Sequence, residues 1–220
     1  MPVSTVITAR RSLITLALLA ASAASFAQTT PTPTPAPKPA SGPANPVANT
    51  LQRDANQQKR IEAGLQGGTL TTREAGILER EEAKTDRMQQ RALKDGTLTP
   101  DEQAKLKAQQ DKVSHDIDRT NKNGVNGQPL SASSQRMQEA VQRDANQQQR
   151  VANGARNGSL TLQEAARAER GQGQLAQREA HDARNGQMSA GESRRAERLA
   201  DRKSGQIHDR KHNGASAPAN

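Results

Sequence analysis

A seven-residue phrase, Gly-x-Leu/Met-Thr/Ser-x-x-Glu, occurs four times in the chain and fixes where its helices must stop and restart. It spans Gly68 to Glu74, Gly96 to Glu102, Gly158 to Glu164 and Gly186 to Glu192. The glycine can adopt the left-handed backbone that closes one helix. Thr or Ser followed three residues later by Glu is a capping box, in which each side chain takes up an orphan backbone N–H of the next helix. The phrase therefore predicts four structural capping pairs: Thr71 with Glu74, Thr99 with Glu102, Thr161 with Glu164, and Ser189 with Glu192. Pro100 follows one of these caps at the first helical position, where its missing N–H costs nothing.

The phrases belong to a larger duplication. Gln52-Arg53-Asp54-Ala55-Asn56-Gln57-Gln58 returns letter for letter at 142–148, and residues 51–124 align with 141–214 at an offset of 90 without insertion. Apolar positions correspond as well: Leu51 with Val141, Ile61 with Val151, Leu70 with Leu160, Ile117 with Ile207. Within each copy the turn phrases lie 28 residues apart, which makes three helices per copy. The expected helices are 50–66, 72–94, 100–122, 136–156, 162–184 and 190–212. Seams at three- and four-residue steps support them, with Ala75, Leu78, Thr85, Met88 and Ala92 on the second helix. On the third, Leu106, Val113 and Ile117 do the same. The predicted fold class is all-α: two duplicated three-helix units (51–124 and 141–214), joined by a turn-rich linker and helix start at 125–140. Short connections make sequential helices antiparallel, so each unit is expected to form its own three-helix array.

The flanks are different. Arg10 and Arg11 precede an apolar run that ends in Ser25-Phe26-Ala27, the layout of a signal peptide over 1–27. Residues 28–50 are rich in Pro, Thr and Ala and predict an extended, disordered tether; 215–220 read as a disordered tail. The expected location is periplasmic or secreted. The chain has no cysteine, and its one aromatic of the Phe, Tyr, Trp group is Phe26 inside the leader. Thin apolar seams of this kind predict marginal stability, with burial supplied by self-association or by a partner. Unit two has eight large aliphatics against twelve in unit one, and Gly171, Gly173 and Gly205 interrupt its helices, so it is expected to be the looser half.

Charge separates the halves. Unit one carries 14 basic and 13 acidic residues, unit two 14 and 9, and 12 of the latter's cations are Arg. Arg194, Arg195, Arg198, Arg202, Lys203, Arg210 and Lys211 crowd the last helix and form a candidate anion-binding face, since guanidinium groups suit phosphate and carboxylate. No Ser/His/Asp or Cys/His set occurs, and carboxylate pairs such as Glu81 and Glu82 read as solvated helix charge. A non-enzymatic protein without cofactor or metal is expected. His208 and His212, at i and i+4, read as a surface pair.

Two resemblances bear on the turn phrase. Its Gly and Glu match the sixth and twelfth positions of an EF-hand calcium loop, but the first, third and fifth positions before Gly68 hold Ala63, Leu65 and Gly67, too few oxygens for calcium. Leu98-Thr99-Pro100-Asp101-Glu102 resembles the Leu-Thr-x-x-Gln motif of the Spy/CpxP group of helical periplasmic stress proteins and chaperones, with Glu in place of Gln. The wider pattern, Gln-Gln-x-Arg-Ile/Val, the turn phrase and a closing Asp-Arg-Lys-His-Asn, is similar to unannotated exported helical-repeat proteins of proteobacteria. The expectation that follows is an envelope interaction role, with chaperone-like client binding through amphipathic helices and envelope proteins as partners. The alternatives are attachment to anionic envelope components through the Arg-rich unit, and calcium or metal sensing through degenerate EF-hand-like turns.

Overall fold

The computed structural model describes residues 45–215; the expected signal peptide, nearly all of the tether and the tail lie outside the described residues. The described chain is all-helical. Its six helices are α1 (Pro46–Gly67), α2 (Thr72–Ala92), α3 (Pro100–Asn121), α4 (Ala132–Arg156), α5 (Leu162–Asp182) and α6 (Ala190–Lys211). Two starts differ from the sequence reading. Helix α1 begins four residues early because Pro46 occupies its first position, where proline is tolerated, and the Asn45 side chain accepts the Ala48 N–H at 3.0 Å. The last residues of the expected tether are therefore helix. Helix α4 likewise starts at Ala132, capped by the Ser131 hydroxyl, inside the expected linker.

All four capping boxes form. The Thr71 N–H donates to Glu74 Oε2 at 2.9 Å and the Glu74 N–H donates to Thr71 Oγ1 at 3.2 Å. Thr99–Glu102, Thr161–Glu164 and Ser189–Glu192 repeat the geometry. The second oxygen of Glu74 accepts from Asn123 Nδ2, and that of Glu164 accepts from Asn213 Nδ2, so the Asn-Gly closing each unit latches back onto its first turn. These carboxylates are committed to caps and latches rather than arranged as an EF-hand loop.

The largest departure from expectation is in the packing. The most extensive contacts are not within a unit but between units, α1 along α4 and α2 along α5. Both pairs are antiparallel. Gln52 exchanges amide hydrogen bonds with Gln149 at 2.8 and 2.6 Å, and Gln142 donates to Glu62. One of the glycines read as weak points, Gly173, serves the second pair, together with Gly76. A Cβ on Gly76 would lie 2.7 Å from that of Ala183, and one on Gly173 would lie 3.2 Å from that of Asp86. Gly171 is covered by the Lys203 stem, and Gly205 faces open space. Helices α1, α2, α4 and α5 thus make a four-helix bundle, flanked by α3 and α6, with the two units as interlocked halves.

The offset of 90 becomes an approximate two-fold axis. It exchanges two apolar clusters. One holds Ile61, Leu70, Leu78, Ile117 and Met137, and the other their counterparts Val151, Leu160, Ala168 and Ile207 with Leu51 and Leu93. Each lies toward one end of the bundle and draws side chains from both units. The layer between them is not apolar.

Candidate metal centre

Seven carboxylates fill that middle layer: Asp54 from α1, Glu79, Glu82 and Asp86 from α2, Asp144 from α4, and Glu169 and Glu179 from α5. None is more than 2% exposed. Helix geometry brings them inward. Glu79, Glu82 and Asp86 follow at i, i+3 and i+7, one face of α2, on the bundle side together with Leu78 and Thr85. Glu82 is therefore buried, a correction to its reading as solvated charge; its neighbour Glu81 is turned outward and pairs with Lys112 Nζ at 2.9 Å.

The duplication explains much of the arrangement. Asp54 corresponds to Asp144 and Glu79 to Glu169. Two triads result: Asp54, Asp86 and Glu169, and Glu79, Asp144 and Glu179. In each, one carboxylate oxygen per residue lies within 4.8 Å of the others. Each triad takes two residues from one unit and one from the other. At an effective dielectric near 20, two full charges at that distance repel by about 3 kcal/mol, and each triad contains three such pairs.

Glutamines supply part of the compensation. Gln58 Nε2 donates to Glu79 Oε2 at 3.0 Å, and its counterpart Gln148 donates to Glu169 Oε2 at 3.2 Å and Asp86 Oδ1 at 3.1 Å. Gln89 and Gln110 both donate to Asp54. Gln57 and Gln147 donate instead to the backbone carbonyls of Gln110 and Ala200 and tie α3 and α6 to the bundle. The identical heptapeptide is thus the core-facing and linking surface of α1 and α4.

The compensation is incomplete. One oxygen each of Glu79, Asp144, Glu169 and Glu179, and both of Glu82, are buried without a hydrogen-bond partner. Among the described residues no Lys, Arg or His is buried. The guanidiniums whose charge reaches the layer, those of Arg53, Arg60 and Arg143, are not buried in it, and Arg53 and Arg60 pair with Asp111 and Asp118 at 2.6 and 2.8 Å. Burial consequently raises every one of the seven pKa values, and neighbouring carboxylates push most of them further. Asp54 and Glu79 rise to about 7 and Glu169 to about 8; Glu82, Asp86, Asp144 and Glu179 are raised well above the ordinary range.

The donor set is all oxygen, the carboxylates of the two triads and Glu82. Such a set suits hard cations of the calcium and manganese type rather than zinc or copper, which favour nitrogen and sulfur. The metal candidates considered from sequence lie elsewhere. His208 and His212 stack at the end of α6 with ring centroids 4.3 Å apart, and His212 Nδ1 is taken up by the His208 carbonyl oxygen at 2.7 Å.

The basic residues of α6 separate into two groups. Arg195, Arg198 and Arg202 line a shallow surface groove with Arg178 and Leu199. Lys203 lies over α5 and donates to Gln174 at 2.7 Å, while Arg210 sits beside Arg167 and Glu164. Arg194 is exposed, and Lys211 ends the helix. No family model matches the chain, and no curated protein or solved structure is significantly similar to it.

Proposed function

We propose that this is a non-enzymatic, exported protein that binds hard, oxygen-preferring cations inside its bundle. The observation that carries this reading is the set of buried carboxylate oxygens that no amide, hydroxyl or buried basic side chain answers. A buried carboxylate without compensation costs several kcal/mol even after relaxation, so seven together require added positive charge. Protons are one source of that charge up to pH about 7 to 8, the range to which Asp54, Glu79 and Glu169 are raised; a cation competes with them there and takes their place above it. The buried site disfavours Mg²⁺, which holds its water, relative to the larger Ca²⁺ and Mn²⁺.

The test uses the full mature chain, freed of metal with a chelator and titrated with Ca²⁺, Mn²⁺, Mg²⁺ and La³⁺ by calorimetry at neutral pH. Binding of Ca²⁺, Mn²⁺ or La³⁺ with a raised melting temperature supports the reading. An ion at a hundred times its dissociation constant should add about 2.7 kcal/mol. A chain that binds none of them and melts identically in chelator and in metal overturns it.

A second reading draws on the Arg178, Arg195, Arg198 and Arg202 groove, which favours attachment to an anionic envelope component. Such attachment should weaken steeply with ionic strength. The expected client binding through apolar seams has less to draw on, because Leu78, Leu106, Val113 and Ile117 are buried. The exposed large hydrophobics among the described residues are Ile77, Val125 and Leu130.

A further inference from the structure

Building on the cation-binding reading, we propose that the bundle takes two cations in a fixed order, the first at Glu79, Asp144 and Glu179 and the second at Asp54, Asp86 and Glu169. The two triads correspond at two of their three positions, Asp54 with Asp144 and Glu169 with Glu79, but are not equivalent. In the first, every member keeps an oxygen without a partner, and one amide, Gln58, donates to the set. In the second, amides have already moved in. Asp54 accepts from Gln89 and Gln110 on both of its oxygens, Asp86 and Glu169 each accept from Gln148 on one, and Glu169 alone keeps a fully buried oxygen without a partner.

The difference has a definite origin in the sequence. Gln89 of unit one corresponds to Glu179 of unit two. At that position the second triad has an amide donating to its aspartate, while the first has a third carboxylate. Asp86, whose counterpart is Ala176, restores the count of three in the second triad. An ion entering there must first displace or turn amides that are hydrogen-bonded to the ligand oxygens, whereas an ion entering the first triad meets open oxygens. Glu82, with both oxygens free, stands on α2 between the contributions of Glu79 and Asp86, within reach of the charge of both triads. It lowers the net charge penalty of placing two cations in one layer.

The experiment is calorimetric titration of the metal-free mature chain with Ca²⁺ and with Mn²⁺, the latter also counted by the loss of the free Mn²⁺ resonance signal. Wild type should take two ions per chain in two resolved steps, the second at least about tenfold weaker. Glu179→Gln should abolish the tighter step, and Glu169→Gln should abolish the weaker step and leave the tighter one in place. Both replacements are isosteric, and circular dichroism with and without metal establishes that each variant is folded. If either is unfolded, Asp144→Asn and Asp54→Asn address the same two triads. Two steps of equal affinity, a single ion per chain, or loss of the tight step in Glu169→Gln would overturn the order while leaving cation binding intact. No uptake of any ion by wild type would overturn both.

Discussion

At the scale of single residues, the caps and the buried carboxylates answer to opposite rules. Thr71→Ala and Thr99→Ala each remove one side of a complete capping box, and each should lower stability by about 0.5–2 kcal/mol in chelator as well as in metal. Thermal melts in both conditions check this; a loss that appears only with metal present would move the role of the turns from capping to ligation. The carboxylates make stability depend on pH in the direction opposite to most proteins. Their folded pKa values stand above the ordinary 3.8 and 4.5, so the proton is held more tightly in the folded state. Metal-free stability is then fullest below the unfolded values and is lost as the pH rises through about 7 to 8. The metal-free chain should melt higher at pH 5 than at pH 8, and saturating Ca²⁺ or Mn²⁺ should narrow the gap. A melting temperature that rises with pH in chelator would contradict the buried-carboxylate layer. The caps were legible in sequence because their rule is local. The carboxylates were not, because apolar periodicity counts every Glu as outward, and nothing in Glu81-Glu82 marks which of the two faces the bundle. The available signal was identity at the offset of 90: Asp54, Gln57, Gln58 and Glu79 return at 144, 147, 148 and 169, where the flanking Lys59 and Glu62 have changed to Gln149 and Ala152.

At the scale of elements, helix ends fell within a few residues of expectation, and the two larger errors came from caps that hid in Pro- and Ser-containing stretches. The helix interiors were harder to judge. Gly171 and Gly173 looked like defects by propensity, yet the close approach of α2 and α5 uses glycine at Gly76 and Gly173, where a methyl group would meet the opposite helix. Propensity and packing can be separated by two substitutions. Gly205→Ala meets nothing and should stabilise the chain by about 0.5–1 kcal/mol. Gly76→Ala should reverse that sign, because its Cβ would fall 2.7 Å from Ala183 and force the helices apart, at a cost of about 1–3 kcal/mol. Chemical denaturation of both variants decides the matter. Equal stabilisation by both would mean that α2 and α5 do not approach closely at Gly76.

At the scale of the whole molecule, the duplication was plain in the sequence but its meaning was not. A repeat of three helices suggested two self-contained arrays, since short turns say how neighbours in sequence run and nothing of how the copies meet. The apolar content of each unit is too small to close a core alone, and the structure resolves this by pairing α1 with α4 and α2 with α5, so that both apolar clusters and both triads are assembled from the two halves. Neither residues 45–124 nor 131–215 should hold a folded monomer when dilute; mixing the fragments should restore helicity, as followed by circular dichroism against concentration. A dilute fragment with the full helicity of its share of the intact chain would refute the interlocking. The approximate two-fold axis also carries a history. A single ancestral unit, pairing with a second copy of itself, would have placed its own Asp54 and Asp86 equivalents beside the partner's Glu79 equivalent, twice over and identically. Fusion of two such genes would have made permanent an encounter that once depended on concentration, and only after it could the two triads diverge. The exchange of Gln89 for Glu179 and of Asp86 for Ala176 would then be changes open to a tandem descendant but closed to a homodimer, in which every substitution appears on both sides of the axis at once.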